Sequence, residues 1–249
     1  MELSSAQTEV DAERFLSLGA NRKRIHVTGN IKFDFYSDPE IPSRGAEFRS
    51  AHAAGRPVWI AASTHSDEEQ IVLAAHRVVL TTAPDALLIL VPRHPERFQL
   101  IASLVGRAGM PCVTRSSGSL CSSDTQVFLG DSMGELTMFY AAADVAFVGG
   151  SLTRVGGHNL LEPAVLGMPV LTGPHTFNAA DIAQLLVENG STQVVSNADE
   201  LADRVTQLFA DETQRLRRGR GGRDVIDDNR GTLQRLLDLI DPLIPRASR

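Results

Sequence analysis

From residue 57 to residue 211 the chain alternates, and this alternation limits its fold more than any other feature. Apolar runs rich in strand formers are each followed by a stretch with helical periodicity. The strands are "PVWIAAS" (57–63), "DALLILVP" (85–92), "TQVFLG" (125–130), "DVAFVGG" (144–150), "PVLTG" (169–173) and "TQVV" (192–195). The helices are "SDEEQIVLAAHRVVL" (66–80), "ERFQLIASLVGRAG" (96–109), "GELTMFYAAA" (134–143), a segment from about 159, "NAADIAQLLVENG" (178–190) and "ADELADRVTQLFAD" (198–211). Strands that are apolar on both faces and separated by helices predict an α/β fold: a Rossmann-like, mostly parallel sheet with helices on both faces. In such a sheet ligands bind beyond the carboxyl ends of the strands. That rule selects the loops at 63–66, 92–97, 130–135, 149–159 and 173–178, where glycine and polar residues concentrate.

The flanks are less regular. Residues 8–19 predict a short helix closed by Gly19, and "RIHVTGN" a short strand. Residues 31–42, with two prolines, read as a linker. Ser66 and Glu69 have the spacing of a capping box for the helix at 66–80. The basic run "RLRRGRGGR" (215–223) reads as a solvated loop, and 224–240 as one closing helix. The expected organisation is therefore 1–42 as helix, strand and linker, 43–211 as the Rossmann-like domain, and 212–249 as basic loop and terminal helix.

Composition removes several function classes. The net charge is -6, and the basic run carries no interleaved aromatics, so no nucleic-acid partner is expected. Cys112 and Cys121 form no metal-ligand pattern, and neither a zinc site nor a disulfide scaffold is expected. No apolar run approaches the roughly 18 residues of a membrane span, the opening "MELSSAQTEVDAERF" is polar, and a soluble chain is expected.

Four segments carry chemistry. In "GGSLTRVGGHNLLEP" (149–163), Gly156 and Gly157 let the backbone approach a ligand, and the following helix start offers N–H groups to a phosphate. Asn159 can cap that helix beside His158, and Glu162, one turn inside, can accept from two ribose hydroxyls or simply favour the helix dipole. In "VPRHPERF" (91–98), Arg93, His94 and Arg97 suit an anion or ordinary ion pairs. In "AASTHSDEE" (61–69), Ser63 and Thr64 can donate to phosphate beside His65, or merely turn the chain. In "LGDSMGEL" (129–136), Gly130 and Gly134 can expose main-chain groups to a base edge, with Met133 as a lid and Glu135 adjacent. Neither the Walker A loop nor the dinucleotide glycine fingerprint is present, and the lack of a DxD motif argues for a site without a metal.

Taken together, "HVTGNIKFD", "ASTHSDEE", "VPRHPERF", "GDSMGEL", "FVGGSLTRVGGHNLLEPA", "GPHTFN" and "DNRGTLQRLL" closely resemble the Kdo (3-deoxy-D-manno-octulosonic acid) transferases. The resemblance implies the C-terminal, nucleotide-sugar-binding half of a GT-B glycosyltransferase, with CMP-Kdo as donor and no cofactor or metal. It implies inverting transfer to a lipid A precursor at the cytoplasmic face of a bacterial inner membrane. The catalytic base, the acceptor surface and membrane association are expected from an N-terminal domain lacking here, so the chain alone is expected to be inactive and to carry no catalytic residue. On the same basis Gly156–Asn159 face the phosphate, Glu162 the ribose and 128–134 the cytosine. Ser63, Thr64, Arg93 and His94 face negative charge, and Asn178 faces the donor sugar. Another GT-B nucleotide-sugar transferase, an epimerase and a noncatalytic nucleotide-binding domain remain the alternatives.

Overall fold

In the computed structural model, which describes residues 3–36 and 38–244, Ser4–Ala6 (β1) and Ile25–Val27 (β2) form a two-stranded parallel sheet. Glu9–Ser17 (α1) connects them. Thr8 caps α1 by accepting from the Asp11 N–H at 3.1 Å, and Gly19 (φ 87°) closes it, as the pattern at 8–19 predicts. The segment read as a linker contains a 3₁₀ turn at Ile31–Phe33 and the beginning of a helix, Ile41–Ala53 (α2). Pro42 does not prevent that helix, because a proline in the first turn forfeits no intrahelical hydrogen bond.

The alternating region follows: Val58–Thr64 (β3), Glu68–Thr82 (α3), Leu87–Pro92 (β4), Phe98–Arg107 (α4), Cys112–Thr114 (β5), Val127–Leu129 (β6) and Leu136–Ala141 (α5). Then come Val145–Val148 (β7), Leu161–Val165 (α6), Val170–Thr172 (β8), Ala180–Glu188 (α7), Thr192–Val194 (β9) and Ala198–Ala210 (α8). Seven strands form one wholly parallel sheet in the order β5-β6-β4-β3-β7-β8-β9. The three-residue edge strand β5 goes beyond the six expected strands.

Both faces of the sheet are covered. On one, Trp59, Ala61, Leu88, Leu90, Val127, Leu129 and Phe147 pack against Val72 and Val79 of α3, Ile101 and Val105 of α4, and Leu201 and Val205 of α8. On the other, Phe48 of α2 meets Phe128 of β6 edge to face at 4.9 Å and Phe139 of α5 at 5.3 Å. Gly45 lets α2 approach α5, since a Cβ there would stand 2.5 Å from that of Ala141. Each fully buried large apolar side chain contributes about 1.5–3 kcal/mol relative to exposure.

Residues 215–223 are not a solvated loop. They lie within an 18-residue helix, Glu212–Asn229 (α9). Arg215 donates to Leu208 O at the end of α8 (2.8 Å), Arg218 to Gly190 O after α7, and Arg223 to Leu166 O after α6 (2.7 Å). Carbonyls left without an intrahelical partner at helix ends draw cations to these places. Gly219 and Gly222 let α9 come close: a Cβ on Gly219 would overlap Gly167 O, and one on Gly222 would stand 3.3 Å from Ala164 Cβ. The expected closing helix also breaks in two. After Gly231 (φ 87°) a separate helix, Thr232–Ile240 (α10), begins. Asp34 anchors its start, with its carboxylate accepting from Gly231 N and Leu233 N at 2.6 Å each.

The chain thus forms two compact units, Met1–Tyr36 with Asp224–Arg249, and Ser37–Arg223. The boundaries differ from the expected 42/43 and 211/212 because α2 and the first part of α9 pack with the large sheet. Residues 1–2, 37 and 245–249 of the expected terminal segments lie outside the described residues. Among the described residues, no helix is long and apolar enough to cross a membrane.

Candidate functional site

The sheet order creates one crevice. From β3 the chain crosses through α3 to β4 on one side; from β7 it crosses through α6 to β8 on the other. Beyond the carboxyl ends of these adjacent strands the connections diverge, which is where open α/β sheets bind ligands. The carboxyl end of β3 supplies Ser63 and Thr64 and the loop after it His65, while the loop after β7 supplies residues 149–160.

A buried carboxylate that the sequence reading did not single out joins these loops. Glu68 Oε2 accepts from His65 N (2.9 Å) and Gly150 N (2.7 Å), and its Oε1 accepts from Ser151 N and Leu152 N (2.9 Å each). Four charge-assisted bonds from backbone amides hold the glycine loop to the start of α3. Its neighbour Glu69 does not complete a capping box. Asp67, in the left-handed region (φ 73°), precedes α3 without a side-chain cap, and Glu69 is buried in a bidentate pair with Arg97 (2.6 and 3.1 Å). The Thr64 hydroxyl also donates to Glu69 (3.2 Å), so both Thr64 and Arg97 are engaged within the protein. From the sequence, adjacent acids at a helix start read as solvent-facing charge; only the fold shows that both point inward. Ser63 sits where the β3–β4 register shifts and has φ 56°, strained for a residue with a side chain.

Three predicted histidines meet at the crevice. His65 Nε2 and His158 Nε2 are 2.7 Å apart with rings 9° from parallel, and His94 packs its ring edge-on to His65 at 5.0 Å. Gly150 (φ 69°) lies beneath the pair, where a Cβ would stand 2.8 Å from His158 Cδ2. Burial, and then the neighbouring His65 and Arg93, bring the His158 pKa down to about 4. Burial lowers that of His65 as well.

The glycine loop is held from within. Gly156 N and Gly157 N both donate to Gly150 O, and the two residues take φ of 108° and 78°. Asn178 fastens them: its side-chain amide donates to Val155 O and Gly157 O (3.2 Å each), and its backbone N–H to Gly156 O. Asn159 does not cap α6, whose cap position is Leu160 without a side-chain bond; one residue earlier, it accepts from Leu161 N (3.1 Å) and donates to Glu162 Oε1 (3.1 Å), so it turns the chain into the helix and orients the carboxylate together. Glu162 is half-buried, and burial raises its pKa against the opposing effects of Asn159 and Arg93. The helix α6 has only five residues, so its dipole is small and local N–H groups carry any attraction for an anion.

The loop after β6 forms its own cluster. Met133 is 63% exposed, and Gly134 (φ 81°) has open space around it. Gly130 is close-packed on Phe139 and Val91. Glu135 is held by Arg115 (2.7 and 2.9 Å) and Ser132 (2.6 Å), and the Arg115 hydrogen bonds keep its pKa below the usual range. The helix that follows this loop, α5, packs against α6, the helix that carries Glu162. Among the described residues, no group of three His, Cys, Asp or Glu is arranged to hold a metal ion. A second concavity, lined by Tyr140, Asp144, Met168, Pro169 and Arg215, lies at the amino ends of β7 and β8, away from the convergent loops.

Comparison with known proteins bears on the family and the fold. Residues 55–225 match the family model of glycosyl transferases group 1, and residues 1–35 match that of 3-deoxy-D-manno-octulosonic-acid transferase (kdotransferase). The chain is 45% identical over 247 residues to a 3-deoxy-D-manno-octulosonic acid transferase of Haemophilus influenzae, covering 99% of this chain and 58% of the relative. It is 38% identical to that of Bordetella pertussis, covering 95% of this chain and 55% of the relative. The chain therefore spans little more than half the length of these two relatives. Among solved structures, the C-terminal CMP-Kdo binding domain of WaaA from Acinetobacter baumannii is 33% identical with a TM-score of 0.72, covering 76% of this chain and 99% of that one. Anabaena Alr3699/HepE in complex with UDP-glucose is 15% identical, with a TM-score of 0.60 and coverage of 97% and 63%, a likeness of fold alone. With the expected GT-B half-fold present and family matches over residues 1–35 and 55–225, this chain belongs to the group 1 glycosyl transferases and, within them, to the 3-deoxy-D-manno-octulosonic acid transferases.

Proposed function

We propose that this chain is the donor-binding domain of an inverting Kdo transferase and takes CMP-Kdo in the crevice between β3 and β7. The observation that carries the reading is Glu162, a half-buried carboxylate oriented by Asn159 at the end of a glycine loop. A carboxylate so placed accepts from both hydroxyls of a ribose whose phosphate lies against the preceding loop. The backbone N–H groups of His158 and Asn159 suit that phosphate, since those of Gly156 and Gly157 are engaged by Gly150 O. Arg93, exposed at the end of β4, adds positive charge that acts on both His158 and Glu162. Main-chain groups of 130–134 with the exposed Met133 suit the cytosine, and His94 suits the donor's negative charge. Asn178 serves the site by holding the glycine loop in shape.

In the proposed reaction an acceptor hydroxyl of a lipid A precursor forms a bond to the Kdo anomeric carbon. The bond from that carbon to the phosphate oxygen breaks, its electron pair leaves with CMP, and the hydroxyl proton passes to a base. This reading assigns the base, the acceptor surface and membrane association to the part of such an enzyme outside this chain, at the cytoplasmic face of the inner membrane. It needs no metal or cofactor, because arginine, N–H groups and local dipoles meet the developing charge. Calorimetric titration with CMP, with UMP and GMP as controls, tests it. CMP-selective binding that weakens at least tenfold in Glu162→Ala is expected; equal binding of all three nucleotides refutes the CMP assignment.

A further inference from the structure

We propose that the His65–His158 pair is a proton-loading subsite that takes up one proton from solvent when the dianionic phosphate of a nucleoside monophosphate binds beside it. This rests on the donor-site reading above and assigns a further function to its walls. The argument begins with the 2.7 Å Nε2–Nε2 distance. Two imidazole nitrogens that close share a single proton: two would clash, and none would leave facing lone pairs. In the neutral pair one ring therefore donates through Nε2–H, and the other accepts at Nε2 and carries its own proton on Nδ1. The donating ring is left with a bare Nδ1. A third proton enters there without breaking the Nε2–Nε2 bond, so the pair gains a full positive charge with no movement of the loops.

The groups around the pair keep it neutral until an anion arrives. Arg93 and His94 act against a positive His158, and His94 and Arg97 against a positive His65, while burial opposes both. Glu68 and Glu69 favour the charge, but all four Glu68 contacts go to backbone N–H groups, and Glu69 is paired with Arg97. Burial and these neighbours bring the His158 pKa down to about 4, which keeps the pair neutral. A phosphate dianion placed against His158 and Asn159 reverses the local field and favours the extra proton. Gly150 under the rings and Glu68 behind the His65 backbone fix the two loops at the spacing the shared proton needs. In turnover the phosphate changes from a singly charged diester to a doubly charged monoester as the bond to the sugar breaks. A pair that loads a proton at that moment favours the leaving group over the intact donor, which is the differential binding that accelerates a step.

The test is calorimetry of CMP binding to the whole chain at pH 7.5 in buffers of different ionisation enthalpy. At that pH a nucleoside monophosphate, with a second pKa of about 6, is already dianionic and supplies no proton of its own. Net uptake approaching one proton per bound CMP is expected. It should vanish in His158→Gln and His65→Gln and persist in His94→Gln and Glu162→Gln. Ring ¹⁵N shifts of the unmutated protein, with and without saturating CMP, read the same proton without a variant and should show one imidazolium formed at His65 or His158. CMP binding without proton uptake, uptake that survives both histidine variants, or ring shifts unchanged at saturation overturns the proposal and leaves the donor-site reading standing. Failure of CMP to bind the folded chain overturns both.

Discussion

Glu68→Gln separates a structural account of the crevice from a decorative one. In the wild type the two carboxylate oxygens accept four backbone N–H groups at 2.7–2.9 Å, all from the two loops that form the crevice. A glutamine amide has almost the same shape but only one acceptor oxygen. Whichever way it turns, it keeps two bonds and sets its NH₂ against the other two N–H groups. Each buried donor left unsatisfied costs about 1–3 kcal/mol, so the change should destabilise the sheet unit by about 2–6 kcal/mol. If the loops relax instead, part of that cost appears as weaker nucleotide binding. The single tryptophan, Trp59, is fully buried in β3 and reports unfolding of this unit by fluorescence. The measurement is the urea midpoint and slope for both proteins at pH 7.5, together with CMP affinity. Stability within about 0.5 kcal/mol of wild type and unchanged CMP affinity would refute the reasoning, because a freely exposed surface glutamate behaves that way.

Three further outcomes are expected. Protonation of Glu162 removes its carboxylate from the ribose, so the loss of CMP affinity on the acid side, as pH drops through its raised titration range, should be smaller in Glu162→Gln than in the wild type; calorimetry of both proteins below pH 6 compares them. His76 is buried, accepts from Trp59 Nε1 (3.1 Å) and contacts Gln126 O (2.9 Å), and its pKa falls to about 4 from 6.5. A depressed base contributes stability that is complete above the unfolded value and lost as pH falls through the folded one. About 3 kcal/mol should therefore disappear between pH 6.5 and 4, a slope that urea titrations should find reduced in His76→Gln. Gly45→Ala should destabilise by about 1–3 kcal/mol through overpacking on Ala141, whereas Gly106→Ala, inside α4 with no neighbour within 4 Å, should stabilise by about 0.5–1 kcal/mol; thermal melts of the two variants check the pair.

The sequence by itself determined the class of fold. Strands apolar on both faces, such as 57–63 and 85–92, can satisfy their backbone and bury both faces only within a covered parallel sheet, and the helices between them supply the cover. It also indicated which loops matter, because ligand sites follow from strand polarity: His65, His94 and His158 lie in those loops, and Glu162 lies in the helix that follows one of them. What it left undecided depended on partners distant in the chain. Pro42 marked a break, although it sits harmlessly in the first turn of α2, and β5 was too short for a period to register. The arginines of 215–223 resembled a solvated run because their acceptors, the carbonyls of Leu208, Gly190 and Leu166, belong to the ends of three other helices. Glu68 and Glu69 looked like ordinary acids at a helix start, yet one gathers amides from two loops and the other holds an arginine 28 residues away. Local periodicity reports what a segment must bury. The identity of a polar group's partner is set by strand order, and only the tertiary structure places residue 65 against residue 158.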